Sequence, residues 1–287
     1  MPSMPQTLLA DRATLAVSGE QAAEFLQNLV TSDIEALGEA EMRPSALLTP
    51  QGKILFDFLI GRGPDGDFRL DVAAGARGDL AKRLTLYRLR AKVAIAPLDE
   101  PVRAVWDEPV AAEGLMADRR FPEATVYRSY GEALSGIEDG TAEDFAARRI
   151  RAGIAEAERD FPASDVFPHD VLLDQNGGVS FRKGCYVGQE VVSRMQHRGT
   201  ARRRLMLAAA DGHLTPGAEI LAEGKPIGTV LSSIGEDGIA MVRIDRLAEA
   251  LAGDASIAAD GVPVELTIPA WAGYALPRSD APMAGDA

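Results

Sequence analysis

The residue types best suited to chemistry in this sequence lie in one octet, Lys183-Gly184-Cys185-Tyr186-Val187-Gly188-Gln189-Glu190. Cys185 is the only cysteine of the chain, and a thiol reacts or binds metal as the thiolate. The run from Gln189 to Gln196 predicts a helix, which would place Cys185 just before a helix N-terminus. The positive end of that helix, with Lys183 and Arg182 nearby, should favour the thiolate. The octet therefore predicts a reactive thiol.

The neighbours of the thiol predict how it is held and what it could contact. Gly184 and Gly188 permit tight turns and a close approach of the backbone to a ligand. Gln189 and Glu190 are assigned to loop closure or to hydrogen bonding with a ligand. A lone cysteine is more commonly a small buried residue, but a loop flanked by glycines and cations is an unusual place for one.

The charge distribution indicates an anion-binding region around this octet. The segment from Arg182 to Arg204 contains seven basic residues and a single acid, Glu190, in a chain whose net charge is −13. Arginine suits bidentate binding of carboxylate or phosphate, so Arg182 and Arg194 are candidate ligand-binding residues. The alternative interpretation is a solvated basic face without a ligand.

Composition and spacing exclude several kinds of site. One cysteine excludes an internal disulfide framework and a zinc or iron–sulfur site whose four thiolates come from this chain alone. Metal-ligand spacing and phosphate-binding glycine loops are absent from the sequence, so no metal site is predicted. A Cys–His pair is a poor fit, because His197 lies about three helical turns along the same segment and would point elsewhere. His169, His197 and His213 are interpreted as solvated or hydrogen-bonded surface histidines.

The same features predict where the protein works and what it avoids. The sequence has no run of 18 apolar residues, which predicts no membrane span. The net charge of −13 argues against nucleic acid or an anionic membrane surface as partners. Residues 1–11 lack the pattern of a secretory signal, which predicts a cytoplasmic protein.

The elements that must position these residues indicate an α+β fold. Residues 14–17 predict a strand, followed by a helix that Ser18 caps in a capping box with Gln21. Apolar runs at 46–49 and 54–60 around Pro50-Gln51-Gly52-Lys53 predict a β-hairpin. Further predicted elements are strands at 68–72, 93–98, 102–106 and 125–130, helices at 77–90 and 141–152, the latter capped by Thr141, and a long loop over 154–181.

After about residue 200, short strands separated by Gly and Asp turns predict a small antiparallel barrel or sandwich. These strands are expected at 205–209, 218–221, 226–232, 239–244 and 262–268. The predicted organisation is an α+β domain over 1–200, a β-barrel domain over 201–275 and a disordered tail over 276–287.

Four segments resemble one known family. The octet, together with the segments 25–33 (FLQNLVTSD), 49–53 (TPQGK) and 87–93 (YRLRAKV), is similar to the YgfZ-type proteins. These belong to the superfamily of the glycine-cleavage aminomethyltransferase, the T-protein. The similarity extends from about residue 8 to 270 and implies folate-binding-like α+β subdomains around a central cavity, with a C-terminal antiparallel barrel.

The resemblance also implies a function and partners. YgfZ-like proteins are accessory factors in assembly or repair of iron–sulfur enzymes, particularly [4Fe–4S] enzymes, with tetrahydrofolate as ligand. Bacterial members are tied to tRNA-modifying iron–sulfur enzymes. Cys185 would then be the reactive centre, supported by Lys183 and Arg182, and Tyr186 would lie with the octet glycines at the ligand. With a single thiolate, the chain could hold a cluster only transiently. Cys185 could supply one ligand at an interface with a carrier or client protein, accept a transient thiol adduct, or protect a cluster from oxidation.

Two departures from the methyltransferase bear on its activity. That enzyme has paired aspartates in the strand corresponding to 54–60, whereas this chain has Asp57 alone. It also has a pterin-binding Glu before an Ala-Gly pair, where this chain has Arg151. A guanidinium only donates hydrogen bonds, so it cannot replace a carboxylate that accepts them from a pterin.

Two other functions stay open at this point. The first is a folate-dependent one-carbon enzyme of aminomethyltransferase type, in which Asp57 is the polar group beside the transferred carbon. The second is an RNA-binding adaptor that uses Arg202 to Arg204, although no aromatic stacking platform interleaves these arginines.

Overall fold

Ten strands of the N-terminal region form one continuous sheet. A computed structural model describes residues 5–63, 66–107, 114–122, 125–199 and 201–277. The ten strands are β1 (Pro5–Leu8), β2 (Arg12–Ser18), β3 (Glu41–Leu48), β4 (Ile54–Arg62), β5 (Phe68–Ala73), β6 (Ala94–Leu98), β7 (Val102–Trp106), β8 (Met116–Asp118), β9 (Val126–Tyr130) and β10 (Glu138–Asp139). Their order across the sheet is β10-β1-β7-β9-β8-β3-β4-β5-β2-β6, and most neighbours are antiparallel.

Within the described residues, five helices accompany these strands and the barrel. They are α1 (Ala22–Gln27), α2 (Arg77–Arg88), α3 (Ala142–Arg151), α4 (Gln189–Arg198) and α5 (Ile244–Ala252). The predicted cap of α3 is confirmed, because the Asp144 amide donates to the Thr141 hydroxyl and the Asp144 carboxylate accepts from the Thr141 amide, both at 3.0 Å. No helix in the described part is both long and apolar enough to cross a membrane.

The predicted capping box at the start of α1 is wrong. Ser18 remains in strand β2, where it pairs with Ala94. The helix begins after Gln21, which makes no side-chain capping bond. The Gln21 side chain instead accepts a hydrogen bond from the Lys92 amide at 2.9 Å. Ser18 is therefore held by the sheet and the Gln21 side chain by the Lys92 amide, so neither is available for the predicted box.

The predicted hairpin and the long loop are confirmed. β3 and β4 pair antiparallel, with Ala46 opposite Asp57. Between α3 and α4, residues 152–188 contain no helix or named strand. This segment packs into an apolar cluster with β3, β4 and α4, through residues such as Phe161 and Val171. Through this packing, segment 152–188 places the octet next to the hairpin of β3 and β4.

The C-terminal region is a closed antiparallel barrel, as predicted. Its strands are β11 (Arg203–Ala210), β12 (Glu219–Ala222), β13 (Lys225–Ile234), β14 (Asp237–Arg243), β15 (Ile257–Ala259) and β16 (Val262–Thr267), closed in the order β11-β14-β13-β12-β15-β16. Ile244, expected to end a strand, instead begins α5. Most of the tail predicted to be disordered lies outside the described residues, but Leu276 packs against the barrel core.

Buried ion pairs connect the sheet to the segment that leads to the octet. One acid of these pairs, Asp160, also accepts a hydrogen bond from Ser232 of β13, so the barrel contacts the same group of buried charges. Burial alone would raise the pKa of Glu156, but the neighbouring arginines hold it well below its usual value. The pairs, whose side chains are all at most 8% exposed, are Arg12–Asp71, Arg128–Asp71, Arg128–Asp118, Arg120–Asp118, Arg120–Glu156, Arg149–Glu156 and Arg149–Asp160.

Candidate functional site

Cys185 is exposed and its thiol is free. It lies three residues before Gly188, the residue that precedes α4 and adopts a φ of +80°. A left-handed φ favours glycine, because a β-carbon strains this conformation. The sequence predicted a reachable thiol just before a helix, and in the structure Cys185 is exposed and precedes α4 by four residues. A partner molecule can therefore approach it from solvent.

Lys183 fastens the Cys185 loop to the body of the protein. Its side chain is buried, and Nζ donates to the carbonyl oxygens of Val30 and Ser32, each at 2.8 Å. Burial lowers the pKa of Lys183 to about 8. The ammonium was expected to support the thiolate. Its hydrogen bonds to two carbonyls instead make it an anchor for the loop.

Tyr186 is the second anchor of the loop. Its ring is buried in the apolar cluster that includes Leu48, Ile54 and Val192, and Lys183 Nζ lies 5.4 Å from the ring centroid. Burial raises the pKa of the Tyr186 hydroxyl to about 12. The packing gives the Tyr186 ring a structural role, and the expected contact between Tyr186 and a ligand stays a prediction.

Three segments that are distant in sequence meet at this loop. The Ser180 amide donates to the Thr31 carbonyl at 2.9 Å, which joins the loop to segment 25–33. A β-carbon on Gly188 would lie only 2.5 Å from the Thr49 carbonyl oxygen, so the turn at 49–53 packs directly against the start of α4. Three of the four family-like segments, 25–33, 49–53 and the octet, are thus joined at the Cys185 loop.

Other residues of the predicted site are exposed or half-buried. Arg182 is exposed, as is Arg194, which lies 4.0 Å from Glu190 in a weak surface pair. The amide of half-buried Gln189 donates to the Tyr186 carbonyl at 3.3 Å, which closes the loop onto the helix. The cations around the thiol therefore remain accessible to an anionic partner.

Gly184 does not have the conformational role that was expected. Its φ lies outside the left-handed region, and a β-carbon there would meet nothing within 4 Å of the described residues. The backbone at this position could accommodate a side chain. Of the two glycines on either side of Cys185, only Gly188 has a backbone conformation and a close contact that require glycine.

The arginines proposed for RNA binding are largely engaged in ion pairs. Arg203 pairs with Asp170 at 2.8 Å. Arg204 is buried and pairs with Asp174 at 2.8 Å. Only Arg202 of the three is exposed. This run is therefore part of the contact between the barrel and segment 152–188, and not a free basic surface.

Asp57 lies between two cavities. One is a central cavity of about 20 Å³, which Arg12 and Arg120 also line. The other is a groove of about 430 Å³ beside α2, with Lys82 and Arg83 among its lining residues. Burial raises the pKa of Asp57 to about 6, and Glu156 adds to this shift. Cys185 lines neither cavity.

Arg151 points away from both cavities that Asp57 lines. Its Nε lies 2.7 Å from Asp237 in an exposed ion pair with the barrel. The residue that replaces the pterin-binding Glu is thus absent from the lining of the central cavity and of the α2 groove.

Sequence reasoning missed the polar contacts beneath the loop. The Thr31 hydroxyl donates to the Gly178 carbonyl at 2.6 Å and accepts from the Ala46 amide at 2.9 Å. Ser32 donates to the hydroxyl of Ser45 at 2.8 Å. The signal was available, since Thr31-Ser32 lies within segment 25–33. Among the residues described, no group of three potential ligands could hold a metal ion.

Comparisons with known proteins agree with this architecture. A family model described as the C-terminal beta-barrel domain of CAF17 matches residues 202–274. The mitochondrial iron-sulfur cluster assembly factor IBA57 homolog of Mycosarcoma maydis is 34% identical over 68% of this chain and 54% of its own length. The human mitochondrial IBA57 is 29% identical over 92% of this chain and 84% of its own length. The chain thus spans about half the length of the Mycosarcoma relative.

Among solved structures, the aminomethyltransferase T of the glycine cleavage system from Bartonella henselae has the same fold. Its TM-score is 0.66 at 15% identity, and the match covers 94% of this chain and 86% of that one. The predicted cytoplasmic location is contradicted, because the named relatives are mitochondrial proteins. Lack of a secretory signal does not distinguish these two compartments. The chain therefore has the fold of the glycine-cleavage aminomethyltransferase and is similar in sequence to the IBA57 iron-sulfur cluster assembly factors.

Proposed function

We propose that this protein is an accessory factor in the assembly or repair of iron–sulfur enzymes, particularly [4Fe–4S] enzymes, and that it acts through Cys185. The sequence similarity to IBA57 assembly factors supports this function. The observation that carries the proposed mechanism is an exposed thiol on a loop that Lys183 and Tyr186 anchor.

In this mechanism the cluster is cargo, and the chain supplies one ligand. Clusters are usually held by four thiolates, so the remaining ligands must come from a carrier or client protein docked at the Cys185 loop. Exposed Arg182 and Arg194 favour a partner with an acidic surface. The anchored loop fixes the position of the sulfur before the partner arrives, which reduces the ordering cost of binding.

The test replaces Cys185 with Ser in cells that lack the endogenous protein and measures an aconitase-type activity under oxidative stress. We expect Cys185→Ser to restore little activity at normal protein levels. Ser193→Ala on α4 should restore activity fully. Full rescue by Cys185→Ser would refute the thiol-centred mechanism. The resemblance to YgfZ-type proteins extends the proposed clients to tRNA-modifying iron–sulfur enzymes. The level of their tRNA modification can be measured in the same strain.

The groove beside α2 favours tetrahydrofolate as a ligand. The central cavity of about 20 Å³ is too small for a pterin. The groove, at about 430 Å³, lies within the roughly 300–1,000 Å³ range of small-molecule sites. Asp57 could accept hydrogen bonds from the pterin amino group and ring N–H. Lys82 and Arg83 could bind the glutamate tail of the folate.

Calorimetric titration with 5-formyltetrahydrofolate tests this ligand. Arg83→Gln and Asp57→Asn should each weaken binding at least tenfold. Arg90→Gln, an exposed arginine that follows α2, should leave binding unchanged. Equal affinities for all four proteins would exclude the groove as the folate site.

Aminomethyl transfer is the second candidate function, and it depends on the same groove. Asp57 would then lie near the transferred carbon. Turnover of a reduced folate with an aminomethyl donor by the purified protein would support this activity. Loss of the turnover in Asp57→Asn, but not in Cys185→Ser, would separate aminomethyl transfer from cluster assembly.

A further inference from the structure

Another cavity, lined by neither Cys185 nor Asp57, lies where α3 and the sheet meet the barrel. It has a volume of about 600 Å³, within the range of small-molecule sites. Its walls come from three parts of the chain: Trp106 of β7, Arg148 and Arg151 of α3, and Leu207 and Trp271 of the barrel region. We call this cavity the interdomain cleft.

Aromatic side chains contribute to the interdomain cleft, but Trp106 and Phe121 are only 4% and 5% exposed, so Trp271 presents the accessible ring. Trp106 and Trp271, the only two tryptophans of the chain, both line it, together with Phe121. The Trp271 Nε1–H donates to the Ala152 carbonyl at 2.8 Å, which fixes one indole ring. Aromatic rings favour offset stacking or edge-to-face contact with planar ligands.

Arg148 and Arg151 provide positive charge beside these rings. One terminal nitrogen of Arg148 pairs with Asp107, whereas its buried Nε–H meets no acceptor among the described residues. Arg151 is 64% exposed and pairs with the partly exposed Asp237. Surface pairs of this kind contribute little energy, so a ligand anion can replace Asp237. Asp144 also lines the cleft, but its carboxylate already accepts from the Thr141 amide and hydroxyl.

We infer that the interdomain cleft binds a planar aromatic anion. The ring lies against Trp271, and its phosphate or carboxylate accepts hydrogen bonds from Arg148 and Arg151. The site is independent of the proposed function, because it uses neither the thiol nor the α2 groove.

Tryptophan emission of the full chain tests this inference, since both tryptophans line the cleft. The phosphate probe is AMP with adenosine as its uncharged match, and the carboxylate probe is orotate with uracil. We expect at least one anion to change the emission, corrected for probe absorbance, and to bind at least tenfold more tightly than its uncharged match. Inorganic phosphate alone should not produce the change.

Two variants connect the signal to the proposed residues. Arg151→Gln should weaken binding of the anion at least tenfold without changing the melting temperature, since only an exposed pair is lost. Arg90→Gln should bind as the unmodified chain does. Absence of any emission change with both anions at millimolar concentration, equal affinity for charged and uncharged probes, or unchanged binding by Arg151→Gln would each overturn the inference.

Discussion

At the scale of single residues, the buried ammonium of Lys183 determines how Cys185 is presented. A charged donor between two carbonyl oxygens makes stronger hydrogen bonds than a neutral one. The exposed thiol of Cys185 follows two residues later, so the anchor at Lys183 restricts the position of the sulfur that a partner would bind. Lys183 thus acts on the thiol through geometry.

Lys183→Met should destabilise the protein by about 1–3 kcal/mol, because the Val30 and Ser32 carbonyls lose their buried partner. Urea denaturation measures this change. Lys92→Met is the matched control, since Lys92 pairs with Glu20 on the surface, and its effect should stay within about 0.5 kcal/mol. Similar losses in both variants would show that Lys183 does not anchor the loop.

Asp57 should limit stability at neutral pH. Its pKa in the folded protein is about 6, above the ordinary value, so the unfolded chain ionises more readily. Ionisation of Asp57 therefore opposes folding: the cost is absent below about pH 4, grows between about pH 4 and 6, and is complete above about pH 6. Asp57→Asn should stabilise the protein by about 1–2 kcal/mol at pH 7.5 and by almost nothing at pH 3.5. Urea denaturation at both pH values measures the difference, and a gain that is independent of pH would contradict this assignment.

At the scale of elements, the contact between the 49–53 turn and the start of α4 fixes the octet against the hairpin. Gly188→Ala should destabilise the protein by about 1–3 kcal/mol, because the new β-carbon meets the Thr49 oxygen and φ is +80°. Gly184→Ala is the control within the same loop, and its effect should be near zero. Thermal melting of the two variants measures the difference. An equal fall in melting temperature for both would contradict a special role for the contact at Gly188.

Elements could be predicted from sequence where local signals and tertiary contacts agree. The Thr141 cap and the 46–60 hairpin are of this kind. The Ser18–Gln21 box failed because the β2–β6 ladder and the Lys92 amide engage its two residues. The strand predicted to end at Ile244 gave way to α5, whose buried Ile244 and Leu247 follow helical spacing.

The candidate site shows the same division. The single thiol and its flanking glycines could be recognised from residue types alone. The direction of the Lys183 ammonium could not, because its acceptors lie about 150 positions earlier in the chain. Likewise, counting charges in 182–204 could not reveal that Arg203 and Arg204 pair with acids of segment 152–188.

At the scale of the whole molecule, the buried ion pairs join the sheet, segment 152–188 and the barrel. Breaking a buried pair by neutralising one partner leaves an uncompensated charge, at a cost of about 3–5 kcal/mol. Glu156→Gln should therefore destabilise the protein by about that amount at pH 7, since Arg120 and Arg149 lose their counter-charge. Urea denaturation should show this loss, while Glu190→Gln on the surface should change little.

The pH dependence of the same variant tests the assignment further. Because the pKa of Glu156 is depressed in the folded protein, its contribution is present above the ordinary glutamate pKa and is lost as the pH falls below it. The difference between the unmodified chain and Glu156→Gln should therefore narrow in strong acid. A constant difference would mean that the carboxylate charge is not the source of the effect.

The exposure of the sole cysteine has a practical consequence. A maleimide dye would attach at one known position of the native sequence, without any prior removal of competing thiols. The two indoles of the interdomain cleft could serve as natural donors for energy transfer to that dye. Movement of the octet loop relative to the barrel could then be followed in solution on an otherwise unaltered polypeptide.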